Sequence, residues 1–339
     1  MLSFFRKNDP YLILSLVLIL IGTRVFFAFM AMDSSSIQSD PIEFLKVDEN
    51  GNGPIGLWLD GLISTLPSES IFSIILAGLL VLLNAIQLNT LFIRNSSIKE
   101  NTYVPAALFI FLMSASGDFY YFSPALLASS LVIFSLNYLF YHIKYRGTEE
   151  NILSTGFGIG LAGLIYTPFL WLYLFILISY LIYSNTIRRR YFLMSWGFLL
   201  PIIVYWLFFF WRDQGSEALS VLGEQLISFN VIHVSLEKNV VSLGFGLLLS
   251  LAGFVKLYGS QGKTNHQILV EKAMSWNALF AILIAVLHTG DTLDNEILAI
   301  PSMAYFSTQL ILNIDRKWLR ESLFGLYFVL ALLSVFLGY

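Results

Sequence analysis

An arginine sits inside the first apolar run of this chain, in Gly22-Thr23-Arg24-Val25-Phe26-Phe27-Ala28-Phe29-Met30-Ala31-Met32-Asp33, with a carboxylate where that run ends. A guanidinium inside an apolar helix costs roughly 3 kcal/mol or more unless it is paired or faces a wet cavity, so Arg24 is a substrate-binding candidate. It could equally pair with Asp33 or Asp118 and orient it. Asp33 follows an apolar run directly and so has a fixed height relative to a membrane. Asp118, in Ser116-Gly117-Asp118-Phe119-Tyr120, offers a second carboxylate of similar depth. Carboxylates so placed can take a proton from an attacking group or hold a divalent metal ion. Asp33 and Asp118 are the catalytic candidates. Arg212, directly after another apolar run, can grip phosphate oxygens in a bidentate geometry. His233, Lys238 and His288 complete the substrate-binding candidates. No metal spacing involves the four histidines.

The elements that must carry these residues follow from composition. Of 339 residues 57% are hydrophobic, 16% aromatic and only 12% charged, far more apolar than a soluble domain with a charged surface. The chain is read as a polytopic, all-α integral membrane protein forming one domain over 1–339, with no polar interval long enough for a separate soluble domain. Cysteine is absent, which excludes disulfides, iron-sulfur clusters and thiol catalysis. Arg6 and Lys7 precede a first apolar run long enough to span, with no small-residue cleavage site after it.

About eleven spans are expected at the usual length of about 20 residues. They fall near 11–31, 71–93, 103–117, 124–142, 152–166, 168–185, 191–211, 240–258, 274–290, 297–314 and 320–338. Segment 152–185 turns at Tyr166-Thr167-Pro168 and could be a shallow hairpin. Pro201 and Pro301 are expected inside spans, kinking them. Lys and Arg of short loops are retained in the cytoplasm. Arg6, Lys7, Arg94, Lys99, Lys144, Arg146, Arg188 to Arg190, Lys256, Lys263, Lys272, Arg316, Lys317 and Arg320 fall in one set of connections, and the alternate set is acidic. The alternation predicts an inner-membrane protein with its N-terminus cytoplasmic and its C-terminus periplasmic.

The two long polar intervals, 32–70 and 212–239, both belong to the outer face. The first carries an apolar stripe with Trp58, as expected of an interfacial helix, and the second shows helical spacing over Glu217 to Phe229. Loops with helices of their own commonly shape a site at the membrane surface.

The Arg-x8-Asp pattern, the first outer loop with an interfacial helix, the acid at Asp118, the glycine-rich Gly156 to Leu164 followed by Thr167-Pro168, and Ala299-Ile300-Pro301 together resemble the GT-C superfamily of polyprenyl-phosphate-sugar-dependent glycosyltransferases. The likeness is one of layout over most of the chain. The opening Met1 to Arg6 is also similar to that of a multi-pass membrane protein family of Bacteroidota. The GT-C resemblance implies transfer of a sugar from a polyprenyl-phosphate donor on the outer face, with a glycan, lipid or protein as acceptor, the bilayer as surroundings and a divalent ion where the carboxylates hold one. Nothing points to nucleic acid. Two departures are visible: Ser34 stands where many such enzymes have a second acid, and no soluble outer domain follows the last span.

Plainer readings of the same residues stand beside these. Arg24 could snorkel to headgroups, Asp33 could be an ordinary helix-end acid, and Asp118 and Arg212 could be interface residues without substrate. Asp291, Asp294 and Glu296 read as solvated. The glycines read more readily as close helix packing than as a phosphate loop. A non-catalytic membrane subunit or assembly factor of an envelope complex is the alternative function. A transporter fits less well, since paired broken helices in two repeated halves are not evident.

Overall fold

A computed structural model describes residues 2–6, 11–31, 51–64, 69–98, 100–116, 118–145, 148–183, 188–227, 244, 247–248, 250–255, 263–287 and 293–337. Among these the chain is all-helical, with a single β-bridge between Asn52 and Tyr166. We label the α-helices α1 (Leu2–Phe5), α2 (Tyr11–Ala31), α3 (Pro54–Ser64), α4 (Glu69–Arg94), α5 (Val104–Met113), α6 (Pro124–Tyr145), α7 (Glu149–Ile165), α8 (Leu172–Tyr183), α9 (Arg188–Phe210), α10 (Gly215–Ile227), α11 (Asn265–Leu287), α12 (Ile300–Leu312) and α13 (Lys317–Leu337). Short 3-10 turns occupy Asp118–Tyr120, Thr167–Trp171 and Leu293–Leu298. Helix is what apolar runs must form in lipid, where every backbone group needs a partner within its own segment. Proline punctuates the starts, at Pro54, Pro105, Pro124, Pro168 and Pro301, in first turns where its missing N–H is not required. Pro301 therefore opens α12 and does not kink a span from within, whereas Pro201 does lie inside α9.

Four described helices are long and apolar enough to cross a membrane: Ile71–Arg94, Pro124–Tyr145, Arg189–Phe210 and Asn265–Leu287. The ninth expected span thus starts earlier than its apolar run suggests, and Lys272 lies inside a helix, not in a loop. At the centre are two short helices. All ten residues of α5 are buried, as are twelve of the thirteen in α12. At 1.5 Å per residue α5 covers only about 15 Å, half the hydrocarbon thickness, so it is too short to cross a membrane alone.

Side-chain hydrogen bonds sort the connections into two ends. At one end Arg6 grips Glu100 with two bonds, His266 Nε2 lies 2.7 Å from the Asn95 carbonyl, Lys144 donates to Ser96 Oγ at 3.0 Å, and Gln309 donates to the Ser97 carbonyl at 3.4 Å. At the other, Ser73 Oγ accepts from Phe122 N–H at 2.7 Å, and Tyr166 donates to Asn295 Oδ1 at 2.9 Å. The first group joins connections that the charge pattern assigns to the cytoplasm, and the second joins those it assigns outward. We call them the basic and the acidic end.

Helix α7 is pressed against α9 along its glycines. A Cβ on Gly156 would lie 2.2 Å from the Met194 carbonyl oxygen and one on Gly160 2.3 Å from that of Phe198, while Gly197 meets Leu153 in the reverse sense at 2.3 Å. The glycine run is therefore a backbone-on-backbone seam of the small-xxx-small kind. Polar zipping adds to it elsewhere: Asn84 of α4 donates to Ser129 Oγ of α6 at 2.8 Å and accepts from Ser130 Oγ at 2.5 Å. Alanine gains about 1 kcal/mol of helix propensity over glycine. At Gly160 the clash should outweigh it, costing about 1–3 kcal/mol. Gly160→Ala should therefore lower the thermal unfolding midpoint in detergent, whereas Gly223→Ala, whose Cβ would meet nothing within 4 Å, should not. Equal midpoints for the two variants would remove the seam.

Candidate functional site

The acidic end is built around Arg24. Its Nη2 donates to the Phe119 carbonyl at 2.8 Å, Nη1 donates to the Tyr120 carbonyl, and the guanidinium carbon stands 4.6 Å from the centre of the Tyr120 ring. The residue is 6% exposed, so it does not snorkel into headgroups. Among the described residues no carboxylate pairs with it, and its Nε has no hydrogen-bond partner. Among the described residues, two carbonyl dipoles and a π-face stabilise this cation. Phe27, one helical turn beyond Arg24, stacks on Tyr120 at 4.1 Å with the rings 9° apart. The Tyr120 hydroxyl donates to the Ser114 carbonyl at 3.3 Å, and burial pushes the phenol up to about 12, so it stays protonated and is no base at physiological pH.

The same turn is held on two more sides. Ser73 of α4 takes the Phe122 N–H, and Ser123 caps α6 by accepting from Ala125 N–H at 3.1 Å while donating to the Asp294 carboxylate. Asp294 is therefore half-buried and bound into the framework, not simply solvated as its loop position suggested. Asp118 opens this turn. Its backbone is thereby fixed at the acidic end by α2, α4 and the Leu293–Leu298 turn.

Next to this turn lies α3. Gly53 N–H donates to the Ile165 carbonyl at 2.9 Å, Thr167 N–H donates to the Gly51 carbonyl at 3.0 Å, and a Cβ on Gly56 would sit 2.1 Å from the Ile165 oxygen and 3.0 Å from Pro124 Cβ. Gly51 has φ +81°, which favours glycine. Gln225, 1% exposed, ties α10 to the same point by donating to the Asn52 carbonyl at 3.2 Å and accepting from Thr167 Oγ1 at 3.1 Å. Helices α3 and α10 are thus docked on the acidic end of α7.

Between α3 and the acidic end of α9 is a groove of about 360 Å³, walled by Pro54, Ile55, Trp58, Tyr205, Phe208 and Phe209, with Arg212 at its rim. The Arg212 guanidinium carbon lies 4.5 Å from the centre of the Phe208 ring and the residue is exposed, so the ring orients the cation while its N–H groups stay available. An apolar trough rimmed by a guanidinium suits an amphiphile with an anionic headgroup.

The expected site residues divide accordingly. Arg24 is placed under the Asp118–Tyr120 turn, and Arg212 at the groove. Asp33, His233, Lys238 and His288 lie outside the described residues, as does the side chain of Asp118. Among the described residues no three His, Asp or Glu side chains form a group that could hold a metal ion. Sequence reasoning missed the aromatic wall of the groove. The four-residue spacing of Phe208 and Arg212 and the stripe containing Trp58 were the available signals.

Together these observations define a multi-pass membrane protein, all-helical among the described residues. Among solved structures the chain is similar to ArnT from Cupriavidus metallidurans bound to undecaprenyl phosphate, with a TM-score of 0.59 and 11% identity, over 92% of this chain and 63% of that one. The chain thus spans under two thirds of the length of that ArnT. No protein-family model matches the chain, and no curated protein matches it in sequence.

Removing Arg24 leaves the carbonyls of two buried residues unsatisfied, at about 1–3 kcal/mol each. Arg24→Leu should accelerate hydrogen exchange in a peptide covering 114–123 and leave one covering 94–103 at the basic end unchanged. Arg24→Lys should restore protection only in part, since an ammonium lacks the planar fork. Unchanged exchange in Arg24→Leu would show that the turn does not depend on this residue.

Proposed function

We propose that the protein is a membrane glycosyltransferase that moves a sugar from a polyprenyl-phosphate donor to an acceptor on the outer, periplasmic face of the inner membrane. The observation that carries this reading is the groove between α3 and α9, apolar along its length with Arg212 at its rim. A GT-C-like fold similar to that of an ArnT solved with undecaprenyl phosphate supports it.

The donor's prenyl chain stays in the apolar groove and the adjoining bilayer, and its phosphate rises to the Arg212 guanidinium. The acceptor hydroxyl attacks the anomeric carbon while Asp33 takes its proton. The new glycosidic C–O bond forms as the bond from the anomeric carbon to the phosphate oxygen breaks. The electron pair leaves with the polyprenyl phosphate, whose growing negative charge Arg212 stabilises. Asp118, on the turn that Arg24 holds, supplies the second carboxylate facing the acceptor. Asp33 and Asp118 are also the groups a divalent ion would use, adding charge neutralisation at the leaving phosphate. Lys238, His233 and His288 are assigned to further contacts with the sugar or acceptor.

Loss of a general base typically costs on the order of a hundredfold to ten-thousandfold in rate. Sugar transfer from a polyprenyl-phosphate donor should fall by that order in Asp33→Asn, with insertion and thermal stability unchanged. Arg212→Ala should raise the donor KM and lower kcat together, while Asp40→Asn should leave both near wild type. Wild-type rates in Asp33→Asn, or no transfer by the wild type from any lipid-linked sugar, would replace this reading with that of a non-catalytic subunit or assembly factor.

A further inference from the structure

A second cavity, of about 640 Å³, shares no residue with the Arg212 groove. It opens in the flank of the bundle, where Leu251 and Phe254 face Leu279 and Ile282 of α11 and Met303 and Phe306 of α12. Lys272 is its one charged lining residue, with Ser275 a turn further along the helix. Helix α11 starts at the basic end, where His266 meets the Asn95 carbonyl. Lys272 therefore stands about 10 Å along the helix from that end, and Ile282 about 15 Å beyond it. That second interval matches the depth of one leaflet, half of an approximately 30 Å hydrocarbon core.

Charge says what fills it. A lysine at this depth sends its ammonium to the nearer headgroup layer while its stem stays against apolar surface, and Lys272 is exposed and free to do so. The end it reaches exposes Arg316 and Lys317 beside Asp315, with Arg189 paired to Glu149 at 3.9 Å, and such an end, basic on balance, draws the anionic headgroups of the facing leaflet. We propose that this cavity binds one acyl chain of an anionic phospholipid from the basic-end leaflet, with Lys272 meeting its headgroup phosphate. The site is separate from the donor groove in position, leaflet and cation. It does not rest on the transferase reading.

Native mass spectrometry of the full chain, in detergent with phosphatidylglycerol or phosphatidylcholine added, tests it without any activity readout. One lysine–headgroup contact should favour phosphatidylglycerol about fivefold. Lys272→Gln should remove that preference and Lys272→Arg keep it. Ser275→Trp, which fills the cavity, should lower retention of both lipids by one molecule per chain. Equal retention of the two lipids by the wild type, or a preference that survives Lys272→Gln, would overturn the proposal. So would a dimer that Ser275→Trp dissolves, which would make a second copy of the chain the occupant.

Discussion

One buried cation governs the acidic end. Arg24 lies where lipid or apolar protein surrounds it, and its positive charge is tolerable only with strong acceptors in fixed places. Among the described residues the acceptors are the carbonyls of Phe119 and Tyr120. These belong to the short 3-10 turn between α5 and α6. Such a turn carries carbonyls that no α-helix ladder satisfies. The guanidinium and this turn therefore answer each other's unmet requirement: the cation gains dipoles, and the backbone gains donors. Asp118 is carried on the result.

From this turn the rest of the acidic end follows by contact. Ser123 continues the turn into the cap of α6 and binds Asp294, and Pro124 then stands against Gly56 of α3. Helix α3 can lie there because Gly53 and Gly56 let its backbone rest on the Leu164 and Ile165 carbonyls. Gln225 fixes α10 to the same point. The far wall of the groove is α9, whose height is set by the glycine seam with α7. The groove thus has two walls positioned by glycine contacts, with a loosely tethered cation at its rim. Fixed walls and an exposed guanidinium suit a long apolar ligand with an anionic head.

Much of the layout was legible in the sequence because hydrophobic run length and loop charge respond to the bilayer alone. The expected spans from 11–31 to 191–211 each contain a helix, and the Gly156 to Gly163 run forms the close packing that its spacing suggested. Helix boundaries were less legible. Lys272 was read as a loop residue because a lysine interrupts an apolar pattern, yet α11 carries it along a flank where the stem can lie against lipid. Asp294 was read as solvated because its own loop is polar, whereas its partner Ser123 is remote in sequence. Arg24 illustrates the same limit. Its type and position pointed to a buried group, and its carbonyl partners carry no residue signature in the sequence, while the carboxylates named for it, Asp33 and the Asp118 side chain, lie outside the described residues.

The central claim is that the groove between α3 and α9 receives a polyprenyl phosphate. A cryo-electron microscopy map of the protein in nanodiscs with added polyprenyl phosphate tests it most directly. The account predicts density for a phosphate within about 3 Å of the Arg212 guanidinium, continuing into chain density along Trp58, Tyr205 and Phe209. A phosphate bound elsewhere on the molecule, with this groove open or closed over by side chains, would contradict it.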